Sequence, residues 1–263
     1  MYKFRIRCSA IGKIMGGHIG LSDTEQKTLN DLIDRQKPYT DNMEKKYSEL
    51  LYKRDNPELP QGAKTVCQNW LKGQIYGKKP AQINSKYTQK GHMVEDQAIT
   101  LIGHKLGLPL TKNEEYREND FLTGTCDVHA PECIIDNKSS WSWETFPLTA
   151  EEIPEKDYYY QGQGYMELWN KKHFKLVYTL MTTPPDLVKR DAKQEWYRVG
   201  GDYDDVYDYL MEYHNYDDYA LERRYKEFNI EKDEDVIAKI KQRVKMCQVY
   251  IDSLVKKLKI GEF

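Results

Sequence analysis

The sequence contains no CxxC pair, and its five cysteines, Cys8, Cys67, Cys126, Cys133 and Cys247, are odd in number and widely spaced. That pattern disfavours both a disulfide framework and an iron–sulfur cluster. No run approaches the roughly 18 apolar residues of a membrane-spanning helix. The opening MYKFRIRCSAIGKIMGG carries positive charge but no continuous apolar stretch of signal-peptide length. A cytoplasmic protein without membrane association is expected. There is no P-loop, no HExxH, no Gly-x-Ser-x-Gly and no repeat at a fixed period, which removes the commonest phosphate-loop, zinc-protease, serine-hydrolase and solenoid readings.

What is present is a chain of 263 residues, 39% hydrophobic and 31% charged, long enough to bury a sizeable core. A net charge of −2 argues, taken alone, against a nucleic-acid binder. Its distribution changes that. Asp202, Asp204, Asp205, Asp208, Glu212, Asp217 and Asp218 crowd one short stretch, and without them the remainder would be net positive. Lys3, Arg5, Arg7 and Lys13 precede the first acid, and Lys78, Lys79, Lys86 and Lys90 fall in an acid-free stretch, so basic patches are available for phosphate contact. Ordinary solvated lysines are the competing reading.

The stretch Leu122–Ser140, LTGTCDVHAPECIIDNKSS, carries the clearest chemistry. It reads as two short strands joined by a turn near Ala130 and Pro131, the first bearing Asp127 and the second Asp136 and Lys138. Alternation places Asp136 and Lys138 on one face with Ile134, and Asn137 on the other. Two carboxylates held close together need a proton or a cation between them. Hard oxygen donors favour Mg²⁺ or Mn²⁺, with substrate phosphate completing the shell. Lys138 could orient or deprotonate a metal-bound water, or neutralise charge developing on phosphorus. A hairpin with one surface salt bridge is the plainer alternative. Zinc on Cys126, His129 and Cys133 is disfavoured, because no fourth ligand stands nearby.

Other segments surround this hairpin. At the start, Arg5, Arg7 and Ser9 share one side of an extended piece, and Ser9 is a plausible N-cap for a turn ending at Gly16 and Gly17, a phosphate pocket in outline. An arginine-decorated edge strand is the other reading. Two polar helices split at Lys37-Pro38 follow, then a helix from about Ala63 to Tyr76 with Val66, Trp70 and Ile75 inward. The helix from about Ser85 to Ile102 has Val94, Ala98, Ile99 and Ile102 on its apolar face, with Glu95 on the border. A carboxylate there is costly unless paired or bound to a cation, which makes Glu95 a candidate metal ligand; pointing to solvent is the alternative. Trp141, Trp143 and Phe146 could stack on bases or simply anchor a loop. A helix from about Asp157 to Trp169 puts Gln161 and Tyr165 on one face beside Gly162 and Gly164. That face suits either a nucleic-acid backbone or close packing on a sheet. A core strand, HFKLVYTLM, a helix over 186–198 and a long amphipathic helix near Asp233 to Leu258 complete the pattern.

Taken together, CSAIGKIM, KGHMVEDQAI, the GTCD and IIDNKSS strands and YYYQGQGYMELW resemble, in order and spacing, the lambda-type exonuclease branch of the PD-(D/E)xK nuclease superfamily. The resemblance implies a mixed central sheet flanked by helices, an α/β restriction-endonuclease-like core over about 1–20 and 85–183. A helical insertion at 21–84 and a helical C-terminal extension at 184–263 would complete a single domain. It implies Asp127, Asp136, Glu95 and the Asn137 carbonyl as metal ligands, Lys138 acting on the attacking water, and Gln161, with Gln163 as a rival register, as the helical-motif glutamine. Ser9 would stand near a bound 5′-phosphate, with Arg5 or Arg7 serving where the branch's upstream arginine finds Tyr2; Tyr165 and Ser139 are further DNA-contact candidates. The implied activity is Mg²⁺-dependent exonucleolysis of linear duplex DNA from a 5′ end, supplying single strands for phage-type recombination, with an annealing protein as partner and a ring-shaped trimer as assembly. Cys126 stands where proline is common and Asp136 where glutamate is common, and neither change removes a ligand. An endonuclease on the same fold, or a non-catalytic DNA-binding protein, are the alternatives.

Overall fold

The computed structural model of the protein describes residues 3–79 and 85–259; Tyr2 lies outside them. In chain order the elements are β1 (Ile6–Arg7), α1 (Ile11–Met15), α2 (Asp23–Ile33), α3 (Asp41–Asp55), α4 (Gln61–Tyr76), α5 (Lys86–Leu106), β2 (Arg117–Glu118), β3 (Leu122–Gly124), β4 (Val128–His129), β5 (Cys133–Ser139), α6 (Lys156–Trp169), β6 (His173–Thr179), α7 (Pro185–Val199), α8 (Tyr203–Tyr213), β7 (Tyr225–Glu231) and α9 (Glu234–Lys257). The expected α/β class with a mixed sheet and flanking helices is what forms.

The chain folds as two compact units. The first comprises Met1–Ile6, Ala10–Pro80 and Ala238–Phe263. Its α2 starts at a capping box: Ser22 Oγ accepts from the Glu25 N–H at 3.3 Å, and Glu25 accepts from the Ser22 N–H at 2.8 Å. Leu29, Leu32 and Leu50 close α2 onto α3. On α4 the fully buried stripe is Ala63, Cys67 and Leu71, one position on from the expected Val66, Trp70 and Ile75, which are half-buried. The stripe turns that far because Trp70 meets Phe4 edge-on, with ring centroids at 5.2 Å. From α9, Ile240, Val244, Cys247 and Ile251 are buried at helical spacing, whereas Leu258 lies past the helix end and is exposed.

The second unit, Arg7–Ser9 and Ala81–Ile237, carries the sheets. The larger has the order β4-β5-β6-β7, with β5 and β6 parallel and the outer pairs antiparallel. A parallel pair needs a crossover, and α6 supplies it. Ile99 and Ile102 of α5 pack with Ile135 and Val177 on one face. On the other face, α6 lies so close to β6 that a Cβ at Gly162 would stand 2.5 Å from a Phe174 ring carbon. Close packing on the sheet is therefore what the glycine-flanked face of α6 is for. The C-terminal extension is helical at α7, α8 and α9 and also contributes β7, a strand not anticipated from YKEFNIE. The acidic, tyrosine-rich stretch forms α8, capped by the Asp202 side chain on the Asp204 N–H at 2.7 Å.

Two local expectations change. Asp127 lies in a bend between β3 and β4, which belong to different sheets, rather than within a continuous strand. Ser9 sits in a short 3-10 turn, Cys8–Ala10, so the N-cap of α1 is Ala10 and the strand alternation that grouped Ser9 with Arg5 and Arg7 stops at Arg7. Among the described residues no helix is long and apolar enough to cross a membrane.

Lys90 of α5, expected at a basic surface, is completely buried, and burial pushes its pKa down to about 7. A lysine with a folded pKa below its unfolded value costs stability fully below the folded pKa, and the cost fades as pH climbs to the unfolded one. Relative to Lys90→Met, the wild type should therefore gain about 1.4 kcal/mol per pH unit between pH 7 and pH 10, read from urea unfolding of the two proteins. Gly162→Ala should lower stability by about 1–3 kcal/mol through overpacking against Phe174, measured the same way.

Candidate active site

The bend at 125–127 exists because each of its carbonyls is taken by a donor from outside. Tyr165 Oη donates to the Thr125 carbonyl at 2.9 Å, Asn113 Nδ2 to Cys126 at 3.0 Å, and the Asn113 N–H to Asp127 at 2.7 Å. Its carbonyls engaged this way, the segment turns the Asp127 side chain toward β5, where Oδ2 accepts the Asn137 N–H at 2.8 Å. Asn113 was not singled out in the sequence; an isolated loop asparagine gives no periodic signal.

Asp136, in the middle of β5, is 1% exposed. Its Oδ1 accepts from Gln161 Nε2 at 3.0 Å, and Lys138 Nζ stands 2.5 Å from Oδ2. Oδ2 is buried and makes no hydrogen bond of good geometry, so the ammonium is its charge partner. As alternation required, Asp136 and Lys138 share a face. Asn137 points the other way, where Thr179 Oγ1 donates to Asn137 Oδ1 at 2.8 Å and Asn137 Nδ2 donates to Ser139 Oγ at 3.0 Å. Ser139 is thus half-buried in a side-chain network on the strand.

Of the two glutamines, Gln161 reaches the site. Gln163 bonds instead to the Glu231 carbonyl at 2.8 Å and accepts the Asp233 N–H at 2.9 Å, tying α6 to the end of β7. Tyr165 is buried, and Gln161 Nε2 also lies 3.3 Å from its hydroxyl. That position makes Tyr165 a support for Gln161 and the Thr125 bend, and leaves it no free face for nucleic acid.

Charge is tightly balanced. Burial, and then the like charge of Asp136, push Asp127 up to about 7, against the pull of Lys138 and the Asn137 N–H; Glu95 adds a further push upward. Burial opposes the charge on Lys138, but Asp136 and Asp127 outweigh it and hold the ammonium above the ordinary lysine range. The face of Tyr158 lies 4.7 Å from Lys138 Nζ.

Asp127, Asn137, Lys138 and Glu95 line one cavity of about 490 Å³, together with Ser139, Ser140, Trp141, Tyr87 and Tyr158. Glu95 is neither bare nor turned to open solvent: it pairs with Lys112 at 2.7 Å. Arg7 and Ser9 are exposed and are not among the lining residues, and Arg5 belongs to the first unit. Of the aromatic trio, Trp141 lines the cavity, Trp143 is exposed and Phe146 is buried. Lys86 is engaged with Asp191 at 2.6 Å.

Among the described residues, no three His, Cys, Asp or Glu side chains stand close enough to hold a metal ion together. Neither Cys126, His129 and Cys133 nor Glu95, Asp127 and Asp136 form such a group. The donor set does fit Mg²⁺ or Mn²⁺ in the open form those ions prefer, through one or two carboxylates with water and phosphate oxygens for the rest. Asp136 is buried and Asp127 half-buried at the cavity wall, and a cation would relieve the mutual repulsion of the two carboxylates.

No family model and no curated relative matches the chain. Solved structures do. A phage-related exonuclease of Haemophilus somnus 129PT matches with a TM-score of 0.70 at 29% identity, covering 98% of this chain and 97% of that one. The alkaline exonuclease of Laribacter hongkongensis matches with a TM-score of 0.58 at 11% identity, covering 97% and 91%, and its complex with dAMP with 0.57 at 12%; at that identity the likeness is one of fold. With near-complete overlap, the chain is similar in sequence and fold to a phage-related exonuclease and shares its fold with an alkaline exonuclease, consistent with its resemblance to the lambda-type exonuclease branch of the PD-(D/E)xK nucleases.

Proposed function

We propose that the chain is a nuclease, a Mg²⁺- or Mn²⁺-dependent deoxyribonuclease that degrades linear duplex DNA from a 5′ end during phage-type recombination. The observation that carries the reading is the cavity lined by Asp127 and Lys138, with buried Asp136 paired to Lys138 and hydrogen-bonded to Gln161 behind it, on a fold whose solved relatives are exonucleases. Asp127 and Asp136 would hold the divalent ion, with the Asn137 carbonyl and Glu95 as further oxygen donors once Lys112 releases it. The ion supplies Lewis acidity and a more acidic water beside the scissile phosphate.

The chain's own residues have separable tasks. Lys138 is held protonated by two carboxylates, so it suits charge stabilisation at phosphorus and orientation of the attacking water better than proton abstraction. Gln161 fixes the rotamer of Asp136 by a neutral hydrogen bond that adds no charge. Ser139, Ser140 and Thr145 line the cavity with hydroxyls suited to a phosphodiester backbone. Exposed Arg7 and Ser9 stay the candidates for a 5′-phosphate. Because they do not line the cavity, an endonuclease on the same site is the second reading.

Purified protein with Mg²⁺ or Mn²⁺ should consume linear duplex and leave covalently closed circles intact, seen on a gel; nicked circles would favour the endonuclease. Asp127→Ala and Lys138→Ala should each lower kcat by about 100- to 1,000-fold. Unchanged degradation by either variant would overturn the site. Chelation should abolish activity, and calorimetric titration with Mn²⁺ should show weaker binding by Asp127→Asn than by the wild type.

A further inference from the structure

We propose that Lys90 is a positioning residue of this site, fastening the segment Lys138–Trp141 to the helix that carries Glu95; the inference rests on the nuclease reading. Lys90 Nζ donates to the Trp141 carbonyl at 2.9 Å and lies 5.7 Å from the ring centroids of both Trp141 and Tyr216. Burial is what lowers its basicity. An interior amine that meets, among the described residues, a carbonyl and two π faces is a poor way to fill space, and an apolar side chain would avoid the desolvation. Its contribution lies in what it joins.

On one side is the chain leaving β5. Lys138, Ser139, Ser140 and Trp141 run consecutively along the cavity. On the other is α5, whose Gly91, next after Lys90, and Glu95 line the same cavity. Behind Trp141 the brace continues. The His214 ring meets the indole edge-on at 5.2 Å, and the Tyr216 hydroxyl accepts the Trp143 N–H at 3.2 Å. His214 is itself bonded to Thr183, through its carbonyl at 3.1 Å and its ring Nδ1 at 3.3 Å. Lys86, one turn earlier, sits 4.6 Å from the Trp141 centroid and is tied to Asp191. Tyr87 meets the Trp141 indole edge-on at 5.6 Å, and His214 also engages the Trp141 backbone, so Lys90 is the member of this group that ties that backbone to α5.

The test uses the full chain with Mg²⁺ and a linear duplex. Lys90→Met should lose at least tenfold in kcat with KM changed less than twofold, and its amide hydrogen exchange should quicken around 139–143 and 214–216 but not elsewhere. Lys90→Gln, whose amide can still donate to the Trp141 carbonyl, should recover most of kcat, and it serves as the reporter if the methionine variant does not fold. Wild-type kcat in Lys90→Met, or exchange that quickens across the whole chain in step with lost activity, would overturn the proposal. A wild type that leaves DNA intact with every divalent metal overturns the nuclease reading instead, and the exchange comparison then decides the brace by itself.

Discussion

A carboxylate as deeply enclosed as that of Asp136 cannot keep its charge unless each oxygen is answered, and much of the second unit is arranged around answering it. One oxygen takes the amide of Gln161 and the other faces the ammonium of Lys138. Gln161 can reach only because α6 lies almost on the sheet, and Lys138 stands on the same face because β5 alternates. The parallel pairing of β5 with β6 fixes that face in register, Asp136 beside Leu176 and Lys138 beside Tyr178. Loss of any one of these relations would leave a buried charge unbalanced.

Asp127 meets a different constraint. It lies at a break between two sheets, and its carboxylate accepts the Asn137 N–H while the chain around it is pinned from Asn113 and Tyr165. One acid is thus rigidly balanced and the other is raised toward neutrality by its surroundings. A pair in that condition is suited to sharing a cation, since the second acid gains most from one.

What could be read in advance follows the range of each interaction. Alternation in CIIDNKS is local, so the shared face of Asp136 and Lys138 and the outward Asn137 were legible, as was Glu95 at the edge of an apolar stripe. The choice between Gln161 and Gln163 was not, because both lie in one helix and only distant partners, Asp136 for one and Glu231 for the other, separate them. Lys112, Asn113 and Thr179 escaped notice for the same reason. The bend at Asp127 looked like strand because its residues favour strand, and outside hydrogen bonds overrode them. Lys90 looked like surface since lysines nearly always are. β7 was hidden by alternating charges on an edge strand, which resemble a solvated loop.

That last strand sets an order of events during synthesis. β6 ends at Thr179 and its antiparallel neighbour begins at Tyr225, so a growing chain exposes β6 as a raw sheet edge while α7 and α8 are being made. An open edge of HFKLVYT invites pairing with another nascent copy. The charged, tyrosine-bearing helices between the two strands therefore act also as a delay, and the time they take to emerge from the ribosome is the interval in which the half-built sheet is most open to aggregation.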